Sequence, residues 1–474
     1  MQGDTSLQAF AGEIEIQQLV LEGCERTVDL TSIDGPVQQV LIYQNLFRPT
    51  LAAEIKIADG RSLTELGPIV GLERFYIKFK VPQQREVVNL IFRVINVHDR
   101  KPAQGAQQAQ LYTLDLVSEE RLMNAYQRVS KAYEGTVSKI VEKVFDEYIT
   151  TGKHSKSLHH FLAEETQGNI HYVAPNIHPF DIITNVSQYA ISPDNKSCIY
   201  LFFENFNSFH YRSLHSLFEQ PIINSEPYTY QLKDVINRSD VKKHMSIMEG
   251  ILINNSFPNS LSGLENGFYS GSLYTHDIYT KKINNGSSKG LTEYDYLKEF
   301  NNVPHTDDRG YEVIPIGGLN AYGDTIKLSR FEEAKKSHIE VYSKHNSMYE
   351  SSEFKELEQS VLSAPNFDVE DIALHRTSQQ QQMESISLST RVAGNPNLNV
   401  GACIDLEIQS FLPSDDFVIN EILSGKYLIS EAVHHFSHNN YMCDLTLLKD
   451  SSGVSIDSAQ IQPFEVAGGQ YENP

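Results

Sequence analysis

The chain has 474 residues, 40% of them hydrophobic, with 24 Tyr, 23 Phe, no Trp and a formal net charge of −22. That length exceeds what a single core usually supports, so three or four domains are expected. The charge excludes a protein that grips phosphate backbones through Lys/Arg clusters, but not one past which nucleic acid slides, because a negative wall repels DNA.

In chain order, period-2 alternation predicts strands near 12–21, 26–33, 37–46, 51–58, 74–81, 89–98 and 109–117. The clearest has Phe75, Ile77, Phe79 and Val81 alternating with Tyr76, Lys78 and Lys80. Asp34-Gly-Pro36 and Ala58-Asp-Gly60 are turn chemistry. Ser118 offers an N-cap to a helix with Leu122, Ala125 and Val129 on one face. Thr136 caps a stronger helix, in which Val137, Ile140, Val141, Val144, Phe145 and Tyr148 recur at helical spacing. Another follows Pro179, with Phe180, Ile183 and Val186 inward, and Ile199–Glu204 is a short apolar strand. Strand texture returns over 228–280, with Asn266-Gly267 as a turn. Residues 285–365 are irregular, with a helix expected over Thr292–Phe300. A helix over 368–382, ending in four glutamines, leads into a strand where Ile386, Leu388, Thr390 and Val392 alternate with Ser385, Ser387, Ser389 and Arg391.

The expected fold is multidomain and mainly β with α+β parts. A first tube-like antiparallel β-barrel covers 1–118 and an intermediate α+β domain covers 119–225. A second, discontinuous barrel is assembled from 226–284 and 384–450, around an inserted irregular and helical region at 285–383. An extended tail, rich in Ser, Gly and Gln, occupies 451–474. A duplicated barrel suggests part of a ring or tube.

Chemistry is weakly represented. Gly286-Ser-Ser288-Lys-Gly290 has nucleophile-elbow spacing, but a solvated Lys-Lys-Ile-Asn-Asn precedes it instead of a buried strand. His434, His435 and His438 form the densest histidine group, followed by His159-His160. On a strand His434 and His435 point to opposite faces, and no carboxylate completes a zinc set. Asp307-Asp308 and Asp415-Asp416 read as solvated loop acids. Cys24, Cys198, Cys403 and Cys443 have no metal spacing; Cys403 and Cys443, on separate strands of one barrel, read as small buried residues, and a reducing compartment is inferred. No catalytic, cofactor-binding or metal residues are assigned. The N-terminus lacks the pattern of a signal peptide, and no run of about 18 apolar residues makes a membrane span.

Three segments, in order, resemble the central hub proteins of contractile-tail phage baseplates, a family related to the N-terminal half of type VI secretion spike proteins. The first is Ile42-Tyr-Gln-Asn-Leu-Phe-Arg-Pro-Thr-Leu-Ala-Ala-Glu-Ile-Lys-Ile-Ala-Asp59 with Pro68-Ile-Val-Gly-Leu-Glu73. The second runs from His178-Pro-Phe-Asp-Ile-Ile-Thr-Asn-Val through Leu201-Phe-Phe-Glu-Asn205 to Phe209-His-Tyr-Arg-Ser-Leu214. The third joins Gly394-Asn-Pro-Asn-Leu-Asn-Val-Gly401 to Ser424-Gly-Lys-Tyr-Leu-Ile-Ser430 and a final Leu-Lys-Asp strand. The resemblance implies a homotrimer whose six barrels join a six-fold tail tube, or its initiator, to a three-fold spike. It further implies baseplate wedge proteins as neighbours, DNA passing through the bore without specific binding, assembly in the host cytoplasm and residence in the virion tail. No spike-like repeat follows residue 450, so the spike is expected on a separate chain. Glu54, Asp405 and Glu407 are expected to approach the channel. Two other readings stand beside it: a tail-associated hydrolase or glycan-binding protein, and the hub of a bacterial injection machine.

Overall fold

A computed structural model describes residues 11–150, 160–231, 245–307, 339–344 and 372–451, apart from shorter loop segments inside those ranges. The chain opens with β1 (Glu15–Glu22), β2 (Thr27–Asp29), β3 (Val37–Asn45), β4 (Ala52–Asp59), β5 (Arg74–Lys80), β6 (Val87–Pro102) and β7 (Gln110–Ser118). They follow the strands expected from alternation, and the apolar set Phe75, Ile77, Phe79 and Val81 is buried. Their order is β3-β4-β7-β6-β5-β1, with β2 on the edge of β1 and every pairing antiparallel.

The intermediate domain contains α1 (Glu119–Tyr126), β8 (Ala132–Gly135), α2 (Val137–Phe145), β9 (His160–Ala163), β10 (Ile170–Val173), α3 (Pro179–Ser187), β11 (Tyr200–Glu204), β12 (Ser208–Ser213) and α4 (Leu214–Glu219). The expected helix at Thr136 is present, its cap accepting from the Lys139 N–H; Val137, Ile140, Val141, Val144 and Phe145 are buried, while Tyr148 lies past its end and is half-buried. The α1 helix corrects the expected face: Glu119, Glu120 and Met123 are buried, not Leu122 and Ala125. The cause is electrostatic. The buried Glu119 carboxylate accepts from Arg74 at 3.1 Å and from Arg93 on the first barrel, which turns the helix acid-inward.

The second barrel uses β13 (Tyr228–Tyr230), β14 (Met248–Asn255), β19 (Ile386–Ala393), β20 (Cys403–Ile408), β21 (Gly425–Ser437) and β22 (Asn440–Lys449). Between β14 and β19 come α5 (Ser260–Glu265), β15 (Ser270–Asp277), β16 (Lys282–Asn284), β17 (Glu293–Asp295), β18 (Ile339–Lys344) and α6 (Ala373–Gln382). Two expectations are corrected here. β15 and β16 do not join the barrel: β15 pairs with β16, β17 and β18 in a separate four-stranded sheet. Alternation marks a strand but does not say which sheet takes it. The helix expected around 292–300 is replaced, where it is described, by β17.

The two barrels are wired alike. β3, β4, β5, β6 and β7 correspond to β14, β19, β20, β21 and β22, because the pairings 3·4, 4·7, 5·6 and 6·7 recur as 14·19, 19·22, 20·21 and 21·22. Two of the irregularities coincide as well. A register shift between Val37 and Gln39 matches one between Met248 and Gly250. Another between Val94 and Asn96 matches one between Ile429 and Glu431. Bulges kink a strand at a set place, so their recurrence marks two copies of one design. The copies differ at the closing strand, β1 being antiparallel to β5 while β13 is parallel to β20. A bridge between Thr229 and Ile247 brings β13 against the start of β14.

Candidate assembly and channel surface

β21 has two partners along one edge. Its first residues pair with β20 (Cys403 opposite Leu428), and then Glu431 to Phe436 pair with Asn45 to Val40 of β3. The barrels therefore share one continuous sheet, β14-β19-β22-β21-β3-β4-β7-β6, before it folds back through β5 and β1. One face of this eight-strand run covers a core common to both barrels, into which Phe203, Phe206 and Leu217 of the intermediate domain also insert. Phe79 of β5 meets Phe436 at 4.9 Å, and Phe436 stacks on Tyr441 at 4.5 Å. Polar locks cross the seam: Gln39 Nε2 lies 2.6 Å from His435 Nε2, and the Asn45 amide donates to Glu431.

The Gly394–Gly401 turn singled out in the sequence sits where all three domains meet. Gln44 donates to Asn399 Oδ1 at 2.9 Å and accepts from the Val400 N–H at 2.9 Å. A Cβ at Gly394 would meet the Tyr441 ring at 2.1 Å, so only glycine lets the turn lie against that ring. Gly401 has φ +79°, and a Cβ there would meet Phe203 at 2.7 Å.

The opposite face of the shared sheet is polar. Register places Arg391 opposite Asp444, Asp444 opposite Val433, and Val433 opposite Tyr43. A second row runs His435, Leu41, Glu54, Asp115 and Asn96. Glu54, Asp115, Glu431 and Asp444 thus share this face with Lys56 and Arg391, and Arg391 is clamped by Asp444, with one contact at 2.7 Å. Burial and Glu54 push the Tyr43 phenol up to about 12. The hydrogen bond to Asp115 raises the His98 pKa. Over β14, β19, β22 and β21 the face is hollowed into an open groove of about 570 Å³. Of the acids expected near a channel, Glu54 lies on this face; Asp405 and Glu407 lie on β20, off the continuous run.

The histidine pair behaves as strand geometry requires. His435 is half-exposed, while His434 is fully buried, with Nδ1 2.7 Å from the Tyr441 hydroxyl and 3.3 Å from Cys443 Sγ. Cys443 and His434 have the spacing of a nucleophile and base, but both groups are fully buried. Burial pushes the thiol up to about 12 and the imidazole down to about 3, which favours the neutral form of each. Cys198, Cys403 and Cys443 are all buried. They should resist an impermeant maleimide in the native chain and react only after denaturation, as read by mass spectrometry. His438, His159, Ser288, Asp308, Asp415, Asp416 and Cys24 lie outside the described residues, and His160 opens β9 at the surface. No three His, Cys, Asp or Glu side chains among the described residues converge as metal ligands. An apolar cleft of about 310 Å³ between the β3–β4 turn, α3, β11 and α6 has Arg376 at its rim, donating to the Gln188 and Cys198 carbonyls.

Asp307, expected to be solvated, is instead buried and ion-paired to the fully buried Lys449 at 3.2 Å. Beside it Asp450 accepts from the Thr306 N–H at 2.9 Å, contacts His305 Nδ1 at 2.7 Å and accepts from Gln382 at 3.3 Å. Burial alone would raise the Asp450 pKa; the hydrogen bond and charge of His305, with the hydrogen bonds from Thr306, outweigh it and hold the carboxyl below its ordinary value. The cluster straps the inserted region to the end of β22. The one hint in the sequence is a Lys-Asp pair closing an apolar strand.

The geometry defines a duplicated-barrel protein with a polar sheet face and, among the described residues, two strand edges without a strand partner. No family model matches the chain. It is 21% identical over 289 residues to the probable baseplate hub protein gp334 of Vibrio phage KVP40, covering 58% of each chain. Solved structures of similar fold include a tail protein from Neisseria meningitidis MC58 (TM-score 0.48, 8% identity, 91% of this chain and 96% of that one). The 43 kDa tail protein of prophage MuSo2 from Shewanella oneidensis is another (TM-score 0.46, 8% identity, 92% and 98%). A third is the type VI secretion component c3393 of E. coli (TM-score 0.40, 10% identity, 93% and 78%).

Proposed function

We propose that this chain is the hub subunit of a contractile-tail baseplate, three copies of which close a ring that joins tail tube to spike and leaves a channel for DNA. One observation carries the reading: two equivalent barrels are joined side by side through β21 and β3, and the equivalents of those edges are uncovered. The outer half of β6 and the outer edge of β14 have no strand partner among the described residues. Pairing β6 of one copy with β14 of the next repeats the internal seam, and head-to-tail contacts of this kind either close a ring or run on as a filament. Three copies give six barrels, which matches a six-fold partner on one side and a three-fold partner on the other. The similarity to a baseplate hub protein points the same way. No catalytic role is assigned to the chain.

In such a ring the polar face is the one that no other part of the described chain covers, so it lines the bore. Its acids repel a polyanion weakly and salt screens them over about 10 Å, which keeps DNA moving. Replacing Glu54 and Asp115 with Lys should slow genome release in particles, whereas the unmodified chain should show no measurable duplex binding at low salt. Tight, salt-sensitive DNA binding by the unmodified chain would overturn the bore assignment. The ring itself is tested by light scattering of the chain with its spike protein. A trimer is expected, and a chain that stays monomeric beside its spike contradicts the proposal.

A further inference from the structure

The seams of the proposed ring are built unequally. Within the chain, β21 pairs with β3 without interruption from Glu431 to Phe436, and Ala432, His434 and Phe436 are buried along it. The equivalent stretch of β6 keeps an unbroken register with β7 only from Asn96 to His98. A second shift then intervenes, Asp99 adopts φ +54°, and Asp99, Arg100, Lys101 and Pro102 are all exposed. A bulge, a lysine and a proline are the devices by which a free strand edge avoids pairing, and Pro102 has no N–H to offer. Local bonds hold the charges in place: Asp99 lies 3.2 Å from His98 Nδ1, and Arg100 donates to Gln110 at 2.7 Å. Where the internal seam has a buried phenylalanine, this edge therefore carries an aspartate, an arginine and a lysine.

We infer that β6 is a guarded edge that a second copy of this chain engages through β14 over Asn96–His98 only, so that the ring closes when a partner holds the copies together and not by itself. The inference rests on the ring reading above. Transferring the register of the internal seam sets His98 opposite Asn255. β14 has a shift of its own between Ile253 and Asn255 that makes Asn254 an extra residue, and both asparagines are exposed. A seam this short and wet gives little drive to associate, since cross-strand pairs contribute modestly and these lack apolar partners.

The test compares the full chain with a variant carrying Arg100→Thr, Lys101→Val and Pro102→Thr, and with Lys101→Val alone, by light scattering across a dilution series. The wild type should be monomeric at micromolar concentration. The single variant should associate more readily and the triple variant on the order of tenfold more tightly. Because the triple change could disturb the β6–β7 hairpin, the single variant decides if the triple one misfolds. A wild-type chain that alone forms a trimer surviving dilution and high salt overturns the guard, as does a folded variant no more associated than wild type. The ring reading fails separately, if β6 and β14 of neighbouring copies cannot be cross-linked even in assembled tails.

Discussion

Phe436→Ala is expected to destabilise the junction of the two barrels by about 3–5 kcal/mol, the usual cost of emptying a buried phenylalanine site. Phe436 is 3% exposed and ends the stretch of β21 that pairs with β3. Its ring meets Phe79 of the first barrel and Tyr441 of the hairpin that closes the seam. No single rotamer change refills that volume, because Phe79 and Tyr441 are themselves fully buried. A multidomain chain does not unfold in two states, so the readout is the separation of transitions in a denaturant series. In the variant the first barrel should melt at lower denaturant while the intermediate domain, which has its own core around Val141 and Phe145, holds its midpoint. A uniform shift of all transitions would mean that the seam is not a local lock.

Asp450→Asn should have an effect of similar size, about 3–5 kcal/mol, because removing one partner of a buried charged cluster leaves the others unpaired. The amide keeps one acceptor for Thr306 but turns a donor toward His305 or Gln382. Near-neutral stability and attachment of the inserted region should fall together, the latter read as protease cleavage within 285–371. The pH dependence follows from the sign of the shift. The folded-state pKa of Asp450 lies below the unfolded value near 3.8, so its stabilisation is fully present above that value and is lost as pH falls through the folded one. Wild type should therefore lose this contribution only in acid, and the difference between wild type and Asp450→Asn should shrink there. A difference that stays constant down to strongly acidic pH would show that Asp450 is not the charged keystone of the cluster.

Local patterns carried much of this architecture, and the places where they failed share a cause. Alternation located the strands of both barrels because one face of each is buried and the other wet. The Thr136 helix was legible because its stripe and its cap agree. What local pattern could not reveal was partnership across distance. β14 pairs with β19 more than a hundred residues away, while β15, equally strand-like, goes to another sheet. Asp307 read as a solvated acid, and Glu119 stood outside the expected helix face, because nothing in their windows announces the Lys449, Arg74 or Arg93 that receive them. Glu54 fell on the polar face and Asp405 and Glu407 did not, since alternation tells inside from outside but not which outside is shared between barrels. The seam was invisible for the same reason: β21 reads as one strand, yet its halves serve two barrels.

The repetition of the internal seam between copies is the central claim, and a disulfide test addresses it most directly. His98→Cys and Asn255→Cys in one chain, assembled into tails and oxidised mildly, should give dimer and trimer bands on a non-reducing denaturing gel and nothing larger, because the third link closes the ring. Antiparallel neighbours lie within the Cα separation that a disulfide tolerates. Absence of any cross-link, or a ladder extending beyond the trimer, would contradict the account.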